Sequence, residues 1–160
     1  MTLMEESMWK RIDPFVECVG QLWSKKDKEE KAPNVLKFIT HFNEMNHWVQ
    51  TEILSEVDLK RRGKVLRKFI EVAEHCLALN NFNGILEIIS GLNSTPVFRL
   101  KKTFSTLSKR ETQILERVGE MVHSKNNYQY LRAALKRVTL PCIPYLGMYL
   151  TDLTFMEDSM

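Results

Sequence analysis

Apolar residues recur at spacings of three and four along most of this chain, and no stretch alternates for long enough to read as a strand. The longest stripe is Val35, Ile39, Phe42, Asn46, Val49 and Ile53. It predicts a helix opened by Pro33, whose missing N–H costs nothing in a first turn. A second long helix is predicted from about Asp58, with Val65, Phe69, Val72 and Cys76 inward, broken between Asn80 and Gly84. From Phe82 to Leu92 the apolar residues Ile85, Leu86, Ile88, Ile89 and Leu92 are so dense that this segment belongs at the centre.

Punctuation divides the remainder. Thr2 and Glu5 have the spacing of a capping box, predicting a first helix with Met4, Met8 and Ile12 on one face. Asp13-Pro14 predicts a restart, with Phe15, Cys18, Val19, Leu22 and Trp23 turned inward. Ser24 to Lys31 is charged and reads as an exposed connection, and Ser94-Thr95-Pro96 is a stop and restart. Ser108 and Glu111 form a second capping box ahead of Ile114, Leu115, Val118 and Met121. A shorter helix is predicted from Tyr128 to Arg137. The two prolines in Pro141-Cys142-Ile143-Pro144 exclude helix there, and a last one starts near Gly147. The class is all-α.

Composition adds exclusions. At 160 residues the chain is one domain's worth, able to bury about 70% of its unfolded surface without a metal or disulfide staple. A net charge of +3 is too small to mark a nucleic-acid binder. The basic cluster Lys60, Arg61, Arg62, Lys64, Arg67 and Lys68 has no interleaved aromatic residue for base stacking. Cys18, Cys76 and Cys142 are odd in number and scattered among apolar neighbours, as reduced cysteines of a cytosolic protein are. His41, His47, His75 and His123 lack metal-ligand spacing, so no metal is expected. No apolar run approaches the length of a membrane span, and membrane insertion is not expected. Nucleophile, phosphate-loop and dinucleotide motifs are missing, Cys142 reads as a structural thiol, and no cofactor is implied. Pattern alone stops at a soluble helical domain.

Several segments carry more. Leu79-Asn80-Asn81-Phe82-Asn83-Gly84 is followed by Leu92-Asn93-Ser94-Thr95-Pro96-Val97-Phe98-Arg99-Leu100-Lys101-Lys102-Thr103-Phe104. Later comes Pro141-Cys142-Ile143-Pro144-Tyr145-Leu146-Gly147-Met148-Tyr149-Leu150-Thr151-Asp152-Leu153. Upstream stand Trp23-Ser24-Lys25-Lys26-Asp27-Lys28-Glu29-Glu30, then His41-Phe42-Asn43 and Trp48. Together, in this order, they resemble the catalytic domain of Ras-type guanine nucleotide exchange factors, the module of Son of sevenless and its relatives. The resemblance covers nearly the whole chain.

It implies an all-α orthogonal helical bundle and a partner, a Ras-family small GTPase of Ras, Rap or Ral type, bound preferentially nucleotide-free. The implied activity is promotion of GDP release for GTP loading, without covalent chemistry; the alternative is a non-catalytic GTPase-binding or scaffold module of the same descent. The implied location is cytoplasmic, with recruitment to the inner face of the plasma membrane. By position, Ile39, Leu86, Phe98, Tyr128 and Tyr145 match a pocket for an aromatic side chain of the GTPase's second switch, with Asn93 at its edge. Thr40 stands where Son of sevenless has a basic residue that contacts the GTPase. Thr151, Thr154 and Asp158, at i, i+3 and i+7, match the helix face that ejects nucleotide. Asp158 matches a carboxylate beside the phosphate loop, and Thr154 replaces an apolar residue that blocks the metal site. Against that family the chain reads as a partial domain, short at its start and lacking most of the C-terminal helical hairpin. A brief last helix with no partner to pack on is expected, leaving recognition stronger than release.

Overall fold

The computed structural model describes residues 1–159. Among the described residues ten α-helices follow one another: α1 (Thr2–Trp9), α2 (Lys28–Lys31), α3 (Pro33–Ser55), α4 (Leu59–Ala78), α5 (Phe82–Leu92), α6 (Thr95–Phe98), α7 (Lys101–Phe104), α8 (Lys109–Met121), α9 (Lys125–Arg137) and α10 (Leu146–Asp158). Among the described residues there is no strand, only an isolated bridge between Asn81 and Ile143. The fold is all-α, and no described helix is long and apolar enough to cross a membrane.

Helix α5 is central: every residue in it except Ser90 is buried. It packs on both long helices, α3 and α4. Its approach to α3 needs Gly91, where an added Cβ would come within 2.9 Å of the Val49 side chain. Around it gather Val49, Ile53, Leu66, Phe69, Ile70, Val118 and Leu131 from α3, α4, α8 and α9. A smaller apolar cluster joins Cys18, Ala32, Val35 and Phe38 to Ile143, Leu146 and Leu150, tying α3 to the start of α10. Local caps begin three helices: Asp58 accepts from Arg61 N on α4, Asn81 accepts from Gly84 N on α5, and Ser108 and Glu111 make the expected capping box on α8.

Two expectations fail for reasons of tertiary structure. Thr2 is the first residue of α1 and not its cap, and Glu5 turns inward, fully buried. Its carboxylate accepts from Asn81 Nδ2 (2.6 Å) and Asn83 Nδ2 (2.8 Å), which outcompetes the local cap. The segment after Pro14 is no amphipathic helix. Pro14–Cys18 is a single π-helical turn and Val19–Ser24 a 3₁₀ stretch, with Gly20 and Gln21 left-handed at φ of 69° and 54°. Phe15 and Val19, expected inside, are exposed. What is buried instead is Glu17, accepting from Asn34 N, Asn34 Nδ2 and Val35 N at 2.7–2.9 Å. It satisfies the orphan amides that open α3 and complements that helix's dipole.

Candidate functional site

The two segments most characteristic in the sequence meet in space. Asn80 is left-handed (φ 55°), and its carbonyl accepts from Ile143 N at 2.9 Å. Phe82 N donates back to the Ile143 carbonyl at 2.9 Å, and Asn80 Nδ2 donates to the Thr139 carbonyl at 3.0 Å. The turn before α5 and the non-helical strip before α10 are therefore one backbone junction. From it project α5, carrying Leu86 and ending at Asn93, and Tyr145 with α10.

Two cavities flank this junction and α5. One, of about 240 Å³, is lined by Ile39 and Phe42 of α3, by Asn83 of α5, and by Tyr145, Leu146 and Gly147. Tyr145 packs on Phe42 and on Tyr128, with ring centroids 5.5 and 5.6 Å apart. An added Cβ at Gly147 would run into the Tyr145 ring, so glycine lets that ring lie against the first turn of α10. Burial, with Tyr128 alongside, raises the Tyr145 hydroxyl above its usual range. The second cavity, of about 300 Å³, is lined by Ile89, Leu92, Asn93, Phe98, Lys101 and Phe104. There Lys101 Nζ lies 3.4 Å over the Phe98 ring, a cation–π contact on a half-exposed aromatic.

The sequence-expected residues thus divide. Ile39 and Tyr145 line the first cavity, and Tyr128 packs on the Tyr145 ring; Asn93 and Phe98 line the other cavity. Leu86 is buried on α5 between Asn83 and Ile89, which line the first and second cavities respectively. Thr40 is exposed on α3, beside Ile39.

Tyr128 is held in an unusual way. Asn126, Asn127 and Tyr128 are all left-handed, at φ of 51°, 54° and 59°. Asparagine tolerates that conformation, but for a tyrosine it costs roughly 1–2 kcal/mol. The regular part of α9 therefore begins after Tyr128. Arg132, one turn on, donates from Nε to the Asn127 carbonyl (2.7 Å) and forks its guanidinium onto both Asp152 oxygens at 2.8 Å. The fork holds the Asp152 carboxyl below its usual range.

On α10, Thr151 and Asp158 are exposed and Thr154 is half-buried. Both threonine hydroxyls donate back along the helix, Thr151 to the Gly147 carbonyl (2.8 Å) and Thr154 to the Leu150 carbonyl (3.0 Å). The helix starts close to the expected Gly147 and, against expectation, finds a partner. Glu157 accepts from Gly20 N (2.8 Å), and Asp158 faces Gln21 Nε2 at 3.5 Å. The left-handed pair Gly20-Gln21 presents those groups, which gives the segment after Pro14 its purpose.

Beneath the first cavity lies a polar layer that sequence reasoning did not single out. Asn83 Nδ2 donates to Glu5 (2.8 Å) and to Glu87 (3.0 Å), and His41 Nε2 stands 3.9 Å from Glu87. Burial, then the neighbouring Glu5, pushes the Glu87 carboxyl up to about 10. Glu5, His41 and Glu87 have donor atoms within 4.8 Å of one another, close enough to share a cation. Both Glu5 oxygens are already taken by Asn81 and Asn83, and a proton on Glu87 balances the pair. Asn83 and Glu87, polar residues at i, i+4 inside the most apolar helix, were the available signal. The thiols offer no nucleophile: burial raises Cys18 and Cys142, and pushes Cys76 up to about 12.

Comparison with known proteins gives the family. Residues 1–160 match the RasGEF domain family. Ras guanine nucleotide exchange factor Y of Dictyostelium discoideum is 44% identical over 158 residues, 99% of this chain and 10% of that protein. Ras-specific guanine nucleotide-releasing factor 2 of Danio rerio is 40% identical over 99% of this chain and 13% of its own length. Ras-specific guanine nucleotide-releasing factor 1 of Homo sapiens is 39% identical over 99% of this chain and 12% of its own. The chain spans about a tenth to an eighth of the length of these relatives. With a family match along its whole length and an all-α fold built on the junction of the two characteristic segments, the chain belongs to the RasGEF domain family.

Proposed function

We propose that this chain binds a Ras-family small GTPase and promotes release of its GDP, so that GTP can load. The observation that carries the reading is the cavity lined by Ile39 and Tyr145, with Tyr128 packed on the Tyr145 ring, in a chain whose relatives are guanine nucleotide exchange and releasing factors. An aromatic side chain from the GTPase's second switch would enter there, leaving water for apolar walls and aromatic edges. Asn93, just past α5, and Phe98 of α6 would extend the contact, and Thr40 would extend it along α3. Helix α10 would approach the nucleotide with Thr151, Thr154 and Asp158, the last setting a negative charge against phosphate and magnesium. Release is negative coupling: the chain and the nucleotide each weaken the other's hold on one GTPase. No covalent step and no cofactor enter this account. The place of action would be the cytoplasm, at the inner face of the plasma membrane.

Release of a fluorescent GDP analogue from Ras, Rap and Ral type GTPases tests it. Acceleration on at least one of them is expected, with a lower rate for Asp158→Ala. Binding without acceleration would instead assign the chain as a GTPase-binding module of the same family. Absence of both binding and acceleration would overturn the proposal.

A further inference from the structure

Arg132 makes more contacts than a surface ion pair needs. Its two terminal nitrogens bind both oxygens of Asp152 at 2.8 Å, its Nε donates to the Asn127 carbonyl at 2.7 Å, and Nη2 also reaches Asn127 Oδ1 at 3.1 Å. The partners lie on different parts of the molecule. Asn127 belongs to the left-handed run of Asn126, Asn127 and Tyr128, while Asp152 is on α10. Left-handed backbone at three successive non-glycine residues persists only where the surroundings over-determine it. Arg132 supplies two of the bonds that do so. Asp152 follows Thr151 by one residue, about 100° round the helix, so fixing Asp152 also fixes where Thr151, Thr154 and Asp158 point. Exposed ion pairs contribute little as a rule. This one is a planar fork on a carboxylate, with both side chains about three-quarters covered.

We infer that Arg132 is a positioning residue: one guanidinium locks the segment that presents Tyr128 to the orientation of α10, making the aromatic cavity and the Thr151–Asp158 face a single rigid surface. This rests on the GTPase-binding function proposed above. A lysine cannot replace it, because an ammonium has neither the fork nor the reach to bond carboxylate and carbonyl together.

The test combines two measurements on the whole chain. The first is affinity for a nucleotide-free Ras, Rap or Ral type GTPase, with Arg132→Lys, Arg132→Ala and Asp152→Asn each made alone and in a Tyr128→Ala background. The second is hydrogen exchange at the amides of residues 125–129 and 150–158, with those of α5 as the control for intact folding. Each single substitution is expected to weaken binding about tenfold, and by less than about twofold once Tyr128 is alanine, because the same interaction is already gone. Exchange should quicken in both segments together while α5 stays protected. A general loss of stability would not show that dependence on Tyr128.

Retained affinity in the three variants, or an equal loss with and without Tyr128, would overturn the inference. So would faster exchange confined to one segment. If the unaltered chain binds none of the GTPases, the proposed function fails instead, and the joint or separate loosening of the two segments still decides whether Arg132 is the lock.

Discussion

Glu5 and Glu87 lie side by side with no exposed surface, and Asn83 bridges them. With the Glu87 carboxyl raised from 4.5 to about 10, the folded chain keeps a proton that the unfolded chain releases across that window. Unfolding free energy therefore falls as pH rises through it, the full contribution being present only below the unfolded value. Glu87→Gln keeps the shape and removes the titration. Its melting temperature relative to the unaltered chain should rise steadily from pH 5 to pH 9; a constant difference would show that Glu87 is ionised in the fold. At the surface, Tyr145→Ala and Phe98→Ala should each weaken GTPase binding by roughly 2 kcal/mol, about thirtyfold, as buried aromatic anchors do. Melting curves of both variants must confirm that the fold is intact. If Tyr145 matters and Phe98 does not, the contact is confined to the cavity between α3 and α10. These residues were nameable only through resemblance to a family. Ile39, Tyr128 and Tyr145 are far apart in sequence, and no spacing rule joins them. The same holds for Glu5, whose partner Asn81 lies 76 residues away.

Among elements, the long ones were legible because their stripes are long. Helix α3 runs from Pro33 to Ser55 and α4 starts after Asp58, as the pattern predicts. Where a local signal and a tertiary partner compete, the partner prevails. Glu5 leaves the cap of α1 for two buried asparagines, and Glu17 leaves a surface for the amides of α3. Residues Pro14–Ser24 were misread for that reason, together with the left-handed Gly20 and Gln21. Two substitutions probe the elements directly. Gly91→Ala forces a methyl group against Val49 and should destabilise the α3–α5 contact by about 1–3 kcal/mol in urea unfolding. Ser108→Ala removes the side-chain half of the α8 capping box and should cost about 1 kcal/mol by the same measurement. An unchanged midpoint for Gly91→Ala would mean the two helices can part without loss.

Across the whole molecule, the junction of Asn80 and Phe82 with Ile143 ties the central helix to the strip that leads into α10. The aromatic cavity is built beside that junction, and α10 runs from it to the Gly20-Gln21 turn, where Glu157 and Asp158 are held. On the proposed function, recognition and nucleotide ejection would occupy neighbouring parts of one scaffold. The central claim is that this scaffold favours a GTPase without its nucleotide, and equilibrium binding measures that most directly. Affinity should be determined for Ras, Rap and Ral type GTPases, each prepared nucleotide-free and loaded with GDP and magnesium. At least one should bind the chain about tenfold or more tightly when nucleotide-free, the size of a typical coupling between two sites. Equal affinity for the free and loaded forms of every GTPase, or no binding to any, would contradict the account.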